Sequence, residues 1–187
     1  SAASDVYKRQ GLGTRIDIDV REQSIEELNR ECLEKIEYCK KKNEQNKLIY
    51  QINIENAKKG DEKAQYVIGY MYHKGKGVPK NYVKAADWYK KAAEHKNTKA
   101  LNNLAYLYQK GKGVNKDIHK AEQLLLKSAK QGDDVACLNL GILYQTGKLG
   151  TANMEDAEYW YRKAMDKGNP TATRIYRRIQ SMEQKEN

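Results

Sequence analysis

The sequence predicts an all-α protein: a right-handed solenoid of antiparallel helix pairs in which one pair recurs every 36 residues. Three observations support this fold class. Identical residues return at a fixed period, residues that begin and end helices return with them, and apolar residues follow helical spacing inside each unit. A chain of this kind stacks its units so that each contacts mainly its neighbours.

The repeat is visible when the chain is compared with itself after a shift of 36 residues. Small residues and turn residues then align in register along the chain. The aligned positions are Ala64, Ala100, Ala136 and Ala172; Tyr72, Tyr108 and Tyr144; Gly75, Gly111 and Gly147; and Ala85, Ala121 and Ala157. Self-similarity at a fixed period of this length is typical of helical-repeat proteins.

Residues suited to helix starts recur at the same period. An Asp or Asn side chain can accept hydrogen bonds from the free N–H groups at a helix start. The first set is Asp61, Asn97, Asp133 and Asn169, and the second is Asn81, Asp117 and Asn153. Glycine precedes most of the first set, but Lys96 replaces it once. That lysine should cost about 1 kcal/mol if its φ is positive.

A glycine turn, written K-G-K-G-V, separates the two helices of the first and second units. The third unit has T-G-K-L-G, with Leu149 in place of a glycine, so we expect its turn to follow a different path. Apolar residues beside the turns recur at i, i+3, i+4 and i+7, as in Ala85, Trp88, Tyr89 and Ala92. This spacing predicts amphipathic helices with these side chains in the core.

The pattern divides the chain into segments. Residues 1–10 resemble the translation of a sequencing-library adapter, and we expect an unstructured artefact that hides the natural N-terminus. Residues 11–23 predict an irregular segment or a short strand, because Ile16, Ile18 and Val20 alternate with polar residues. The other segments are an N-terminal helical cap at 24–58 with helices at 24–39 and 47–58, repeats at 59–96, 97–132 and 133–168, and a C-terminal capping helix with its tail at 169–187.

Composition limits the class of protein. A hydrophobic content of 39% and a mean hydropathy of −0.96 suit thin stacked layers better than one deep core. No apolar run approaches the roughly 18 residues that predict a membrane span. Three cysteines outside the repeat pattern favour a thiol-reducing compartment such as the cytoplasm. Two of them, Cys32 and Cys39, are expected to face the core of the cap.

The formal charge of +10 is concentrated in two adjacent units. Residues 56–97 carry ten lysines against four acidic residues, and residues 98–133 carry seven against three. A basic patch attracts acidic protein surfaces or nucleic acid. Lysine, however, lacks the planar fork with which arginine binds phosphates and bases, so nucleic acid is the weaker expectation. Solvated lysines without a ligand are the structural alternative.

These residues together resemble the Sel-one-like repeat, a relative of the tetratricopeptide repeat. The resemblance covers about residues 60–176 and is carried by AQYVIGYMYHKGKGV with KAADWYKKAA, ALNNLAYLYQKGKGV with KAEQLLLKSA, and ACLNLGILYQTGKLG with DAEYWYRKAM. It implies a tetratricopeptide-like superhelix that works as an adaptor or scaffold for protein complexes. A pentatricopeptide RNA binder has a similar period but lacks this glycine turn and the W-Y-x-K-A-A helix.

The sequence contains no recognisable catalytic constellation. The histidines His73, His95 and His119 are scattered, and none stands at i, i+4 from another metal ligand. The G-K-G segments are helix punctuation and do not form a phosphate-binding loop. We therefore expect a non-enzymatic protein without a cofactor or a metal site.

The candidate binding site is the face that the first helix of each unit presents to the inner side of the solenoid. Its residues differ between units while the core positions stay constant, which is typical of a binding face on a fixed scaffold. The candidates are Lys63, Tyr66, Tyr70, His73, Lys99, Asn102, Tyr106, Gln109, Leu138, Ile142, Gln145, Arg174 and Arg178. Aromatic, aliphatic and cationic side chains in this order predict a peptide ligand with apolar and acidic side chains.

Three alternatives remain open at this point. Tyr70, Tyr106 and Ile142 could pack between successive first helices instead of binding a ligand. The basic face of the first two repeats could bind RNA, which predicts a steep dependence of affinity on salt. The chain could also be a structural segment of a larger protein whose active domain lies upstream.

Overall fold

The computed structural model describes the backbone of residues 2–186 and the side chains of residues 27–182. Over the described backbone it contains eight helices and no strand, which confirms the predicted all-α class. The helices are α1 (Ala2–Lys58), α2 (Glu62–Lys74), α3 (Tyr82–Glu94), α4 (Thr98–Lys110), α5 (Ile118–Ala129), α6 (Asp134–Gln145), α7 (Met154–Asp166) and α8 (Pro170–Glu186). The chain consists of two compact units, Ser1–Asn46 and Lys47–Asn187.

The larger unit is a stack of helix pairs. Helix α2 packs on α3, α4 on α5, and α6 on α7, and each pair continues onto the next helix along the chain, ending with α7 against α8. The last turns of α1 pack on α2 through Ile54 and Ala57, while the hydroxyls of Tyr50 and Tyr72 are 3.0 Å apart. This is the helical solenoid with a period of 36 residues that the sequence predicts.

Both sets of predicted caps are present. Each side-chain oxygen accepts a hydrogen bond from the backbone N–H three residues later, at 2.6 Å for Asp61 and 3.0 Å for Asn169. The other five caps are Asn81, Asn97, Asp117, Asp133 and Asn153. Lys96 has a φ of 63°, a left-handed conformation that favours the glycine found in other repeats.

The third turn departs from the first two, as predicted. Gly75 and Gly111 end α2 and α4 in the left-handed conformation, whereas Thr146 ends α6 in the right-handed one. The Thr146 hydroxyl donates to the carbonyl of Ile142 at 2.7 Å. Leu149 packs against the main core, so the third turn adds an apolar contact where the others have glycine.

The core follows the repeat but places its aromatic residues differently from expectation. Ala85, Ala121 and Ala157 are completely buried, as the pattern predicts. Tyr89 and Tyr161 are also completely buried. Trp88, expected in the core, is only half-buried, as is Trp160, and a lysine side chain lies over each ring: Lys91 over Trp88 and Lys163 over Trp160.

Successive pairs lie closer together at their first helices than at their second helices. Helix α4 contacts both α2 and α6, whereas α3, α5 and α7 make no more than marginal contact with one another over the described residues. Cavities of about 370 Å³ and about 560 Å³ open between α3 and α5 and between α5 and α7. The stack therefore curves towards α2, α4 and α6, whose outward side chains line its inner face.

The N-terminal segment differs from its prediction. Helix α1 runs continuously from Ala2 to Lys58, where the sequence predicts an unstructured 1–10, an irregular segment or strand at 11–23 and two helices within 24–58. Residues 40–46 contain neither glycine nor proline, so nothing interrupts the backbone hydrogen bonds there. The alternation at 16–20 is too short to oppose a helix. Cys32 and Cys39, expected to face a core, are exposed in the first unit.

Candidate peptide-binding groove

The predicted site residues lie on the first helix of each pair and on α8. We call the inner face that they line the groove. Lys63, Lys99, Tyr106, Gln145, Arg174 and Arg178 are exposed; Tyr66, Tyr70, Asn102, Gln109, Leu138 and Ile142 are half-buried; and His73 is buried. The groove therefore offers side chains that are partly held by packing and partly free to contact a ligand.

The aromatic end of the groove is anchored to the core. The ring of Tyr66 packs against those of Tyr70 and Tyr89, with centroids 6.3 and 6.0 Å apart. Burial raises the pKa of the Tyr66 hydroxyl. These contacts fix the rings without covering them completely, so Tyr70 has both a packing role and an accessible surface.

His73 connects the first repeat to the second. Its ring stacks on Tyr106 with a centroid distance of 5.8 Å and an interplanar angle of 17°, and it meets the ring of Tyr82 edge-on at 5.5 Å. Its Nδ1 lies 3.2 Å from the hydroxyl of Tyr89. Burial lowers the pKa of His73, and the ammonium groups of Lys74, Lys112 and Lys80 lower it further.

Lysines from two turns cover the neighbouring rings. The Nζ of Lys112 lies 5.2 Å from the ring centre of Tyr82 and 5.7 Å from that of Tyr106. Lys76 lies 5.2 Å from the ring centre of Tyr70. We call this group the lysine–tyrosine cluster; it consists of Tyr70, His73, Tyr82, Tyr106, Lys74, Lys76, Lys80 and Lys112.

Sequence reasoning missed Tyr82 and Lys112 as site residues. They meet because the second turn lies against the start of α3, where a Cβ at Gly113 would stand 2.3 Å from the backbone of Tyr82. Only glycine fits at that distance. The available signal was the repeated K-G-K-G-V, whose lysines could have been placed beside the aromatic residues of the preceding unit.

The other end of the groove is aliphatic. Leu138 and Ile142 are half-buried on α6. A cavity of about 310 Å³ lies between the end of α6 and α8, lined by Gln145, Ile175, Arg178, Ile179 and Met182. The amide oxygen of Gln145 accepts a hydrogen bond from the hydroxyl of Tyr161 at 2.6 Å.

Asn102 has a structural contact in the centre of the groove. Its Nδ2 donates to Oδ1 of Asp133, the cap of α6, at 2.8 Å. Its own Oδ1 is buried without a hydrogen-bond partner among the described residues. Asn102 therefore links α4 to the next repeat.

The described residues contain no group of His, Cys, Asp and Glu side chains that could hold a metal ion. Over the same part of the chain, no helix combines the length and apolar composition that crossing a membrane requires.

A stack of helix pairs with a constant core and a variable inner face belongs to the class of helical-repeat interaction proteins. The family model of the Sel1 repeat matches residues 62–97, 98–133 and 134–169, and the chain belongs to this family. Sel1 repeat proteins generally form non-catalytic scaffolds that mediate protein–protein interaction.

Solved structures with the same fold are similar to parts of the chain. A Sel1 repeat protein from Oxalobacter formigenes is 38% identical, with a TM-score of 0.57 over 63% of this chain and 47% of that chain. The protective antigen c5321 of uropathogenic Escherichia coli is 31% identical, with a TM-score of 0.63 over 68% of this chain and 27% of that one.

A curated relative is similar over a shorter stretch. The chitin synthase regulator SKT5 of Saccharomyces cerevisiae is 40% identical over 53 residues, which are 28% of this chain and 8% of that protein. The chain thus spans less than a tenth of this relative and less than half of the two structures.

Proposed function

We propose that the chain binds a peptide segment of another protein in the groove and that this segment carries both apolar and acidic side chains. The observation that carries the proposal is the order of side chains along the inner face. Half-exposed tyrosines and lysines occupy α2 and α4, aliphatic residues follow on α6, and the exposed Arg174 and Arg178 stand on α8. Tyrosine supplies contact area and a hydroxyl at low entropic cost, which favours a protein ligand.

A peptide display library, screened against the full chain at physiological salt beside a pool of single-stranded RNA, tests this function. We expect enrichment of peptides that combine acidic and apolar residues. The double variant Tyr70→Ala, Tyr106→Ala should bind an enriched peptide at least about tenfold more weakly, because two partly exposed aromatic anchors are removed.

Tyr159→Ala is the matched control, since Tyr159 is 51% exposed on α7, outside the groove. Circular dichroism of all variants separates loss of binding from loss of fold. Binding by the double variant that equals wild type would assign Tyr70 and Tyr106 to packing alone and would contradict the groove.

A further inference from the structure

We propose that the lysine–tyrosine cluster is the subsite for the ligand's carboxylates, so that the partner is a protein segment whose aspartates or glutamates lie over α2 and α4 and whose apolar residues lie over α6. This inference rests on the peptide-binding function proposed above and adds to it the position of the acidic side chains.

The cluster concentrates positive charge without internal compensation. Lys74, Lys76, Lys80 and Lys112 form no ion pair with any described carboxylate, whereas Lys90 on α3 pairs with Asp87 at 3.2 Å. The ammonium groups are held over rings instead. Ammonium groups gathered in this way attract an anion from outside the chain.

The pKa of His73 responds to the positive charge of the cluster. The rings of Tyr82, Tyr89 and Tyr106 surround it, and the charges that act on it come from three lysines of the cluster. Burial and these lysines favour its neutral form. Bound carboxylates would be attracted by the same lysine ammonium groups, because opposite charges attract at this range.

The ring faces favour an acidic protein segment over a nucleic acid. Single-stranded nucleic acids bind by stacking bases on open aromatic faces. Here Tyr106 is stacked on His73 and approached by Lys112, and Tyr82 is approached by Lys80 and Lys112. Tyr70 is covered by Lys74 and Lys76. Lys112 donates to the Tyr106 hydroxyl at 3.5 Å. An ammonium group carries three donors and a tyrosine hydroxyl keeps its own proton, so both can still donate hydrogen bonds to carboxylates.

Among the described residues, the cluster occurs once, at the junction of the first and second repeats. One period later, Gln109, Ile118 and Ile142 replace His73, Tyr82 and Tyr106. Leu149 replaces Gly113, so the third turn cannot approach α5 as closely as the second approaches α3. The corresponding lysine, Lys148, has no aromatic partner among these residues. Acidic side chains therefore belong over the cluster on α2 and α4, and apolar ones over Leu138 and Ile142 on α6.

A charge-swap experiment on the full chain tests the assignment. Three fluorescent synthetic peptides share a leucine- and alanine-rich half and carry glutamate, glutamine or lysine in the other half. Each is titrated against wild type, against Lys76→Glu with Lys112→Glu, and against the control Lys127→Glu with Lys130→Glu. The control changes the net charge equally on exposed residues at the end of α5. Lys76→Gln with Lys112→Gln repeats the test without introducing carboxylates.

The glutamate peptide should bind wild type at least about tenfold more tightly than the glutamine peptide. The cluster variants should lose this preference, the control should keep it, and the glutamate-containing cluster variant should gain affinity for the lysine peptide.

Equal binding of the glutamate and glutamine peptides would overturn the subsite and leave groove binding intact, whereas failure of all three peptides would overturn both proposals. Oligouridylate that binds wild type, loses affinity in the cluster variants and displaces the glutamate peptide would assign the cluster to RNA.

Discussion

At the residue scale, two buried tyrosines lie directly against glycines of the preceding helix. A Cβ at Gly141 would stand 2.5 Å from the ring of Tyr161, and one at Gly69 would stand 2.7 Å from that of Tyr89. The middle unit has Ala105 and Leu125 at the matching positions, both buried. Where the first helix has alanine in place of glycine, the second helix has leucine in place of the larger tyrosine, as close packing requires.

We expect Gly141→Ala to overpack the ring of Tyr161 at a cost of about 1–3 kcal/mol, which leaves a net destabilisation of up to about 2 kcal/mol once the helix propensity of alanine is counted. Tyr161→Leu in the same chain should relieve the clash and produce a favourable coupling energy. Urea unfolding of wild type, both single variants and the double variant measures that coupling. Purely additive effects would contradict the packing account.

His73 makes stability depend on pH. Burial, with Lys74, Lys112 and Lys80, lowers its pKa in the folded chain, so the unfolded chain binds a proton more readily. The contribution to stability is complete above the unfolded pKa of about 6.5 and is lost as the pH falls from there towards the folded pKa.

We expect the free energy of unfolding to fall between about pH 7 and pH 5. His73→Gln should reduce that slope. Denaturant unfolding at each pH measures the slopes. Equal slopes for wild type and His73→Gln would exclude His73 as the cause.

At the element scale, the caps of first helices also connect neighbouring units. Asp133 caps α6 by accepting from the N–H of Ala136 at 2.7 Å, and the same Oδ1 accepts from Asn102 on α4 at 2.8 Å. Asp117 caps α5 at 2.8 Å from an exposed position without such a link among the described side chains. Loss of the Asp117 side chain leaves one backbone N–H of α5 without its cap, whereas loss of the Asp133 side chain also leaves the amide of Asn102 without its acceptor.

Asp133→Ala should therefore cost more than Asp117→Ala. Loss of a cap costs about 1 kcal/mol, and an unpaired amide of the half-buried Asn102 adds about 1–2 kcal/mol. Thermal or urea unfolding of the two variants gives the comparison. Asn102→Ala should cost much less in the Asp133→Ala background than in wild type, and equal losses in the two backgrounds would show that the two residues are not coupled.

The sequence predicts the features that depend on neighbouring residues. The caps at Asp61 and Asn169 follow from local hydrogen bonding, and the period follows from identical alanines. The lysine–tyrosine cluster was not predicted, because Lys112 belongs to the second repeat and Tyr82 to the first. The backbone contact at Gly113 brings the two residues together. The continuous α1 was missed because alternation over a few residues is weak evidence for a strand.

At the scale of the whole repeat stack, stability should be transmitted between neighbours. The main core joins residues of α3 to α6, with the completely buried Leu101 of α4 near its centre. Helix α8 meets α7 on one side and ends the described stack. In such an arrangement, a central defect weakens two interfaces and a terminal defect weakens one.

We expect Leu101→Ala to cost about 2–5 kcal/mol, because the site is enclosed and the cavity cannot collapse freely. In the Leu101→Ala variant, amide hydrogen exchange should accelerate in α3 and α5 as well as in α4, since the core contacts of all three helices are disturbed. Ile175→Ala, at a half-buried position on α8, should accelerate exchange in α7 and α8 and leave α3 protected. Uniform acceleration of every helix by both variants would instead mean that the stack unfolds as one cooperative body, and a ligand bound over α2 and α4 would then protect α8 as strongly as α4.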